Sequence, residues 1–85
     1  MIKRREILTH ESIWNAIEKF AELNGFTCSG LACHGGLDAT TFNKSKRFDK
    51  YGKPRWPSTN SLAKIINATG KSPEEFIRLL GDTER

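Results

Sequence analysis

An all-α domain of five short helices is what this sequence predicts, on three observations. Apolar residues recur at spacings of three and four, as in Ile13, Trp14, Ile17, Phe20 and Ala21, which is the period of one helix face. No stretch alternates apolar and polar residues as a half-buried strand does. Helix-capping residues and glycine stops punctuate the chain throughout. At 85 residues there is enough chain for one small core and not for two.

The first helix opens at Thr9, whose hydroxyl suits an N-cap, and runs to about Asn24, where Gly25 stops it. Its apolar face is the one named above, with Asn15, Glu18, Lys19 and Glu22 opposite. Thr27 caps a second helix from Cys28 to about His34, with Leu31 and Ala32 inward and Gly35-Gly36 ending it. Asp38 is a third cap, opening a helix from Ala39 to about Arg47 around Phe42. From Arg47 to Pro57 the residues Gly52, Pro54 and Pro57 forbid one continuous helix, leaving a short hairpin or a loop.

Ser58 caps a fourth helix to about Thr69, with Leu62, Ile65, Ile66 and Thr69 on one face and Gly70 closing it. Ser72-Pro73-Glu74-Glu75 is the strongest helix start of all, combining a cap, a proline at N1 and a capping-box glutamate. Phe76, Leu79 and Leu80 face inward there, and Gly81 ends that fifth helix. Residues 1–8 read as a flexible basic arm carrying Lys3, Arg4 and Arg5, residues 9–81 as the domain, and 82–85 as a tail.

Composition narrows the function classes. No apolar run approaches the ~20 residues of a membrane span, and the basic start has no apolar stretch behind it, so a cytoplasmic protein is expected. Cys28 and Cys33 lie five apart, which on a helix points them about 140° away from each other and disfavours a disulfide. With His34 and His10 they match no zinc spacing, so no metal or cofactor is expected. Ser61 and Lys64 superficially form a serine–lysine pair, but Lys64 lies on the outward helix face. No serine has an activating base held by a third group, and no glycine loop cradles a phosphate. An enzyme is not expected, and no small-molecule ligand is evident.

Charge is more informative. The net charge is +4, yet between Lys44 and Arg55 six cations face one acid, Asp49. That block is more positive than the whole chain, and its flanks lean acidic, a distribution suited to a polyanionic partner. Directly before it, two short helices meet at a tight glycine turn, as in a helix-turn-helix. Ala32 is the small residue where the helices cross, and Gly36, four later, supplies the left-handed turn. Leu37 anchors that turn, while Leu31 and Phe42 are the inward residues of the two helices.

Residues 28–47 resemble the helix-turn-helix of the lambda-repressor-like DNA-binding proteins, and the five-helix layout is similar to theirs. The closer resemblance is to the N-terminal domain of phage-type repressors that continue into a self-cleaving serine–lysine domain. It rests on Gly36-Leu37-Asp38-Ala39-Thr40-Thr41-Phe42-Asn43-Lys44-Ser45-Lys46-Arg47 and on the segment from Gly52 to Ser58. Two differences stand out: Cys28 replaces a glutamine often found there, and Gly35 beside Gly36 loosens the turn.

The resemblance implies a sequence-specific, double-stranded DNA-binding domain of a bacterial or phage-type transcriptional repressor. Ala39, Thr40, Asn43 and Lys44 would then face base edges in the major groove, Asn43 being suited to adenine and Thr40 to thymine. Thr41, Lys46, Arg47, Lys50, Lys53 and Arg55 would hold the backbone, with Trp56 packed onto the core to fix the loop exit. Two copies are expected on a pseudo-palindromic operator as a homodimer. The want of an obvious dimerising helix points to the amino-terminal piece of a longer protein. The competing expectation is a protein-interaction module of the same fold, an antitoxin or repressor-partner domain. Such a module has no need of the cationic block.

Overall fold

Thr9 opens the first helix with reciprocal caps. In the computed structural model, which describes residues 8–82, Ser12 N–H donates to Thr9 Oγ1 at 3.0 Å and Thr9 N–H to Ser12 Oγ at 2.8 Å. This capping box satisfies donors that the first turn of a helix cannot use. The helix, α1, spans His10–Leu23 and buries Ile13, Trp14, Ala16, Ile17, Phe20 and Ala21. Most of the predicted arm and tail lie outside the described residues.

The second helix, α2, spans Cys28–His34, with Thr27 accepting from the Gly30 N–H at 3.0 Å. Helix α3 spans Thr59–Thr69, capped by Ser58 and closed by Gly70 at φ 73°. Helix α4 spans Pro73–Asp82. Its capping box is the predicted one: Ser72 N–H donates to Glu75 at 2.9 Å, and Glu75 N–H to Ser72 Oγ at 3.3 Å. The helix runs through Gly81 rather than ending there.

Helix α1 is the central element, packing on α2 and most extensively on α4, while α3 lies on α2. Phe20 and Phe76 meet edge to face at 5.5 Å and tie α1 to α4. Leu31, Ala32, Phe42 and Ile65 fill the other half of the same core. Leu8 and Ile77 stay exposed beside an apolar groove that also involves Leu62, Ile66 and Pro73.

The described residues are all-helical in their regular structure, but with four α-helices rather than five. The predicted helix from Ala39 to Arg47 is the one that does not form. Its hydrogen bonds close after three residues, from Thr41 N–H to Asp38, Asn43 to Thr40, Lys46 to Asn43 and Arg47 to Lys44. Only Lys44–Lys46 make a regular piece, one turn of 3-10 helix, and Asn43 before it is extended at φ −64° and ψ 151°. Two local preferences account for this. Asp38 binds its own backbone neighbourhood with its side chain, and the β-branched pair Thr40-Thr41 favours an α-helix poorly.

The turn before it is tight, not loosened. Gly36 has φ +80°, and Leu37 N–H returns to the Ala32 carbonyl at 2.8 Å. A Cβ on Gly35 would stand 3.3 Å from Ile65 Cγ2 and 3.4 Å from the Lys64 backbone. Gly35 therefore lets α3 approach the end of α2, a contact reinforced where His34 Nε2 donates to the Ala68 carbonyl at 3.1 Å. That contact employs His34.

Candidate nucleic-acid interface

Two exposed segments border one cleft, the second at its base. The first is residues 38–46, joined to the core only at Phe42, which is 2% exposed and holds the segment down. Asp38 shapes its start: one carboxylate oxygen accepts from Thr40 N–H at 2.8 Å and Thr40 Oγ–H at 2.6 Å. Thr41 Oγ donates to the Asp38 carbonyl at 2.6 Å, so Thr41 is half-buried and braces the turn. Ala39, Thr40, Asn43 and Lys44 are all exposed. With no α-helix here, a three-residue turn joins Thr40 to Asn43.

The two bonds from Thr40, hydroxyl first, hold the Asp38 carboxyl below the usual carboxylate range. A carboxylate depressed in the folded chain supports the turn above its unfolded pKa and withdraws that support as pH falls through the folded value. The Asp38–Thr40 turn is expected to persist at the ordinary carboxylate pKa and to open only below it. A carboxyl titration followed by NMR checks this, and a midpoint at or above the ordinary Asp value contradicts it.

The second segment is a hairpin. Asp49 N–H donates to Lys53 at 2.8 Å, Arg55 N–H to Arg47 at 2.8 Å, and Phe48 and Pro54 form an antiparallel bridge. Between them lies the three-residue loop Lys50-Tyr51-Gly52. Gly52 N–H closes on Asp49 at 3.0 Å with φ +82°, the left-handed position a loop of this length uses. The Asp49 carboxylate accepts from Tyr51 N–H at 2.8 Å and Lys53 N–H at 2.9 Å. The one acid in the cationic block is thus spent inside the turn.

A stripe on α1 grips the hairpin at its base. His10 Nε2 donates to the Arg47 carbonyl at 2.8 Å, and Trp14 Nε1 to the Arg55 carbonyl at 3.0 Å. Glu18 pairs with the Arg47 guanidinium, which also lies over the Trp14 ring at 5.3 Å. His10, Trp14 and Glu18 are spaced by four and so line one face of a helix. Glu18, expected to face solvent, instead reaches this pair. Arg47, expected on a phosphate, is 15% exposed and occupied by these contacts.

Lys44, Lys46, Lys50, Lys53 and Arg55 remain exposed. Trp56 is 52% exposed and meets the His10 ring edge-on at 6.1 Å. It is Trp14, 3% exposed, that occupies the core, whereas Trp56 stands at the rim. Thr40, Lys46, Arg55 and Trp56 line one open cleft of about 440 Å³, floored by Trp14 and Phe42 and ending at the Ser58 cap of α3.

Sequence reasoning missed His10, Trp14, Glu18, Asp38 and Asp49 as the residues that set this geometry. The available signal was Trp14, because a buried indole N–H needs a partner and none lies near it in sequence. Other chemistry-bearing residues take local roles. Ser61 accepts from Ser58 Oγ at 3.0 Å within the α3 cap. Burial pushes the Cys28 thiol up, and both cysteines are free. Among the described residues no three His, Cys, Asp or Glu side chains cluster as a metal site, and no helix is long and apolar enough to cross a membrane. No family model, curated protein or solved structure matches the chain.

Proposed function

We propose that this chain is a sequence-specific double-stranded DNA-binding domain of a transcriptional repressor. In it, residues 28–47 act as a helix-turn-helix of the lambda-repressor-like kind, with a second element compressed into tight turns. The observation that carries the reading is the shared cleft: exposed polar Thr40 and cationic Lys46 and Arg55 converge on one surface. A polar segment beside exposed cations is what a duplex requires, base edges for the first and phosphates for the second.

In this reading Ala39, Thr40, Asn43 and Lys44 meet base edges. Asn43 carries the most information, since an amide pairs bidentately with adenine where a hydroxyl makes one bond. The Thr40 hydroxyl donates to Asp38, so toward a base it acts as an acceptor and through its methyl group. Lys46, Lys50, Lys53 and Arg55 neutralise phosphates, Thr41 braces the turn, and Arg47 holds the hairpin to α1. Two copies on a pseudo-palindrome supply the length of sequence that one short segment cannot.

Selection from random duplexes tests this, followed by titration of variants against the selected and a scrambled duplex. Asn43→Ala is expected to lose about 1–3 kcal/mol on the selected site and little on the scrambled one, relaxing preference at one base pair. Equal losses on both duplexes would show that residues 38–44 do not read bases.

A further inference from the structure

The hairpin tip holds an exposed aromatic side chain that phosphate contact does not explain. Tyr51 is 77% exposed, the highest exposure of any large apolar or aromatic side chain described. Its position is fixed from below: Asp49 accepts from its N–H, and the loop closes through Gly52. Lys50 Nζ lies 5.3 Å from the Tyr51 ring centroid, and Lys53 follows on the returning strand. The tip therefore presents one flat ring beside the Lys50 ammonium, with Lys53 two residues further on, on a hairpin anchored to α1 by His10, Trp14 and Arg47.

We infer that Tyr51 enters the DNA minor groove beside the major groove met by residues 38–44, and selects A·T pairs there. The inference rests on the DNA-binding reading and adds a second reading element to it. Dimensions restrict what can enter. The minor groove is about 6 Å wide and 7.5 Å deep, while paired strands alone stand about 4.8 Å apart before side chains are added. The hairpin stays outside, and a single planar ring fits edge-on. Narrow A·T tracts concentrate negative potential, which attracts Lys50 and Lys53 toward the groove. The phenol O–H can donate to adenine N3 or thymine O2, whereas a guanine N2 amino group both fills the floor and offers a donor. Asp49, turned into the loop, does not oppose this approach.

The experiment uses inosine. On the duplex selected by the full chain, A·T pairs flanking the core site are replaced by G·C or by I·C. An I·C pair has the major-groove face of G·C and the minor-groove face of A·T, lacking the N2 amino group. The expected result is about a tenfold loss with G·C and recovery with I·C. Tyr51→Ala, at an exposed position, is expected to abolish the difference between flanks while keeping the preference within the core site. Equal losses with G·C and I·C overturn the inference, as does indifference to all three flanks. Retained discrimination in Tyr51→Ala overturns it too. If Tyr51→Ala instead removes self-association and leaves flank preference intact, the tip belongs to a protein contact. A chain that selects no duplex at all overturns the DNA-binding reading itself, which separates that failure from the others.

Discussion

Raising salt from about 50 to about 200 mM is expected to weaken each copy's hold on the duplex roughly 150-fold, with each of four phosphate contacts adding about 0.9 to the logarithmic slope. The four cations are Lys46, Lys50, Lys53 and Arg55, all exposed. Replacing Lys50, Lys53 or Arg55 by Ala flattens the slope by about 0.9 each and leaves sequence preference unchanged. Arg47→Ala behaves differently although it lies in the same block. Its guanidinium is held by Glu18 and the Trp14 ring, so its loss costs about 1–2 kcal/mol of stability and leaves the slope in place. Thermal unfolding and salt titrations on the same variants check both halves. A slope flattened by about 0.9 in Arg47→Ala would return that residue to the phosphate contacts.

Trp14 is the position where substitution is expected to cost most. It is 3% exposed, meets Phe42 edge to face at 6.4 Å and donates to the Arg55 carbonyl. Trp14→Ala removes a large buried ring and is expected to destabilise the fold by about 3–5 kcal/mol, a large share of a small domain's stability. Trp14→Phe keeps most of the ring and removes the indole N–H, costing about 1 kcal/mol for the lost bond. In that variant the hairpin is expected to open locally while the helices stay intact. Hydrogen exchange reads this directly: the Asp49 and Arg55 amides should lose protection while those of α1 keep theirs. Uniform loss across both sets would mean that Trp14 supports the core alone and the hairpin follows it passively.

Where a helix begins was legible in the sequence because caps are local. Thr9, Thr27, Ser58 and Ser72 each satisfy a donor three residues away, so spacing alone identifies them. The core was legible for a related reason, since Ile17, Leu31, Ile65 and Phe76 lie on apolar faces that have to be covered. Asp38 presents the same signal as the true caps and misleads. A cap starts a helix but does not propagate it, and propagation through Thr40-Thr41 fails against the local bonds of Asp38. The grip on the hairpin was illegible because its partners are distant: Glu18 meets Arg47 across 29 residues, and Trp14 meets Arg55 across 41. A polar residue on an amphipathic helix reads as solvent-facing until its partner is known.

The ratio of affinities for the selected duplex and a scrambled duplex, at about 150 mM salt, most directly decides whether residues 38–44 read sequence while the cations hold the backbone. Sequence-specific binding by two copies predicts a ratio of about a thousand or more, reduced in Asn43→Ala but not in Lys50→Ala. A ratio near one, with strong salt dependence retained, would contradict base reading and leave only a non-specific hold on the phosphates.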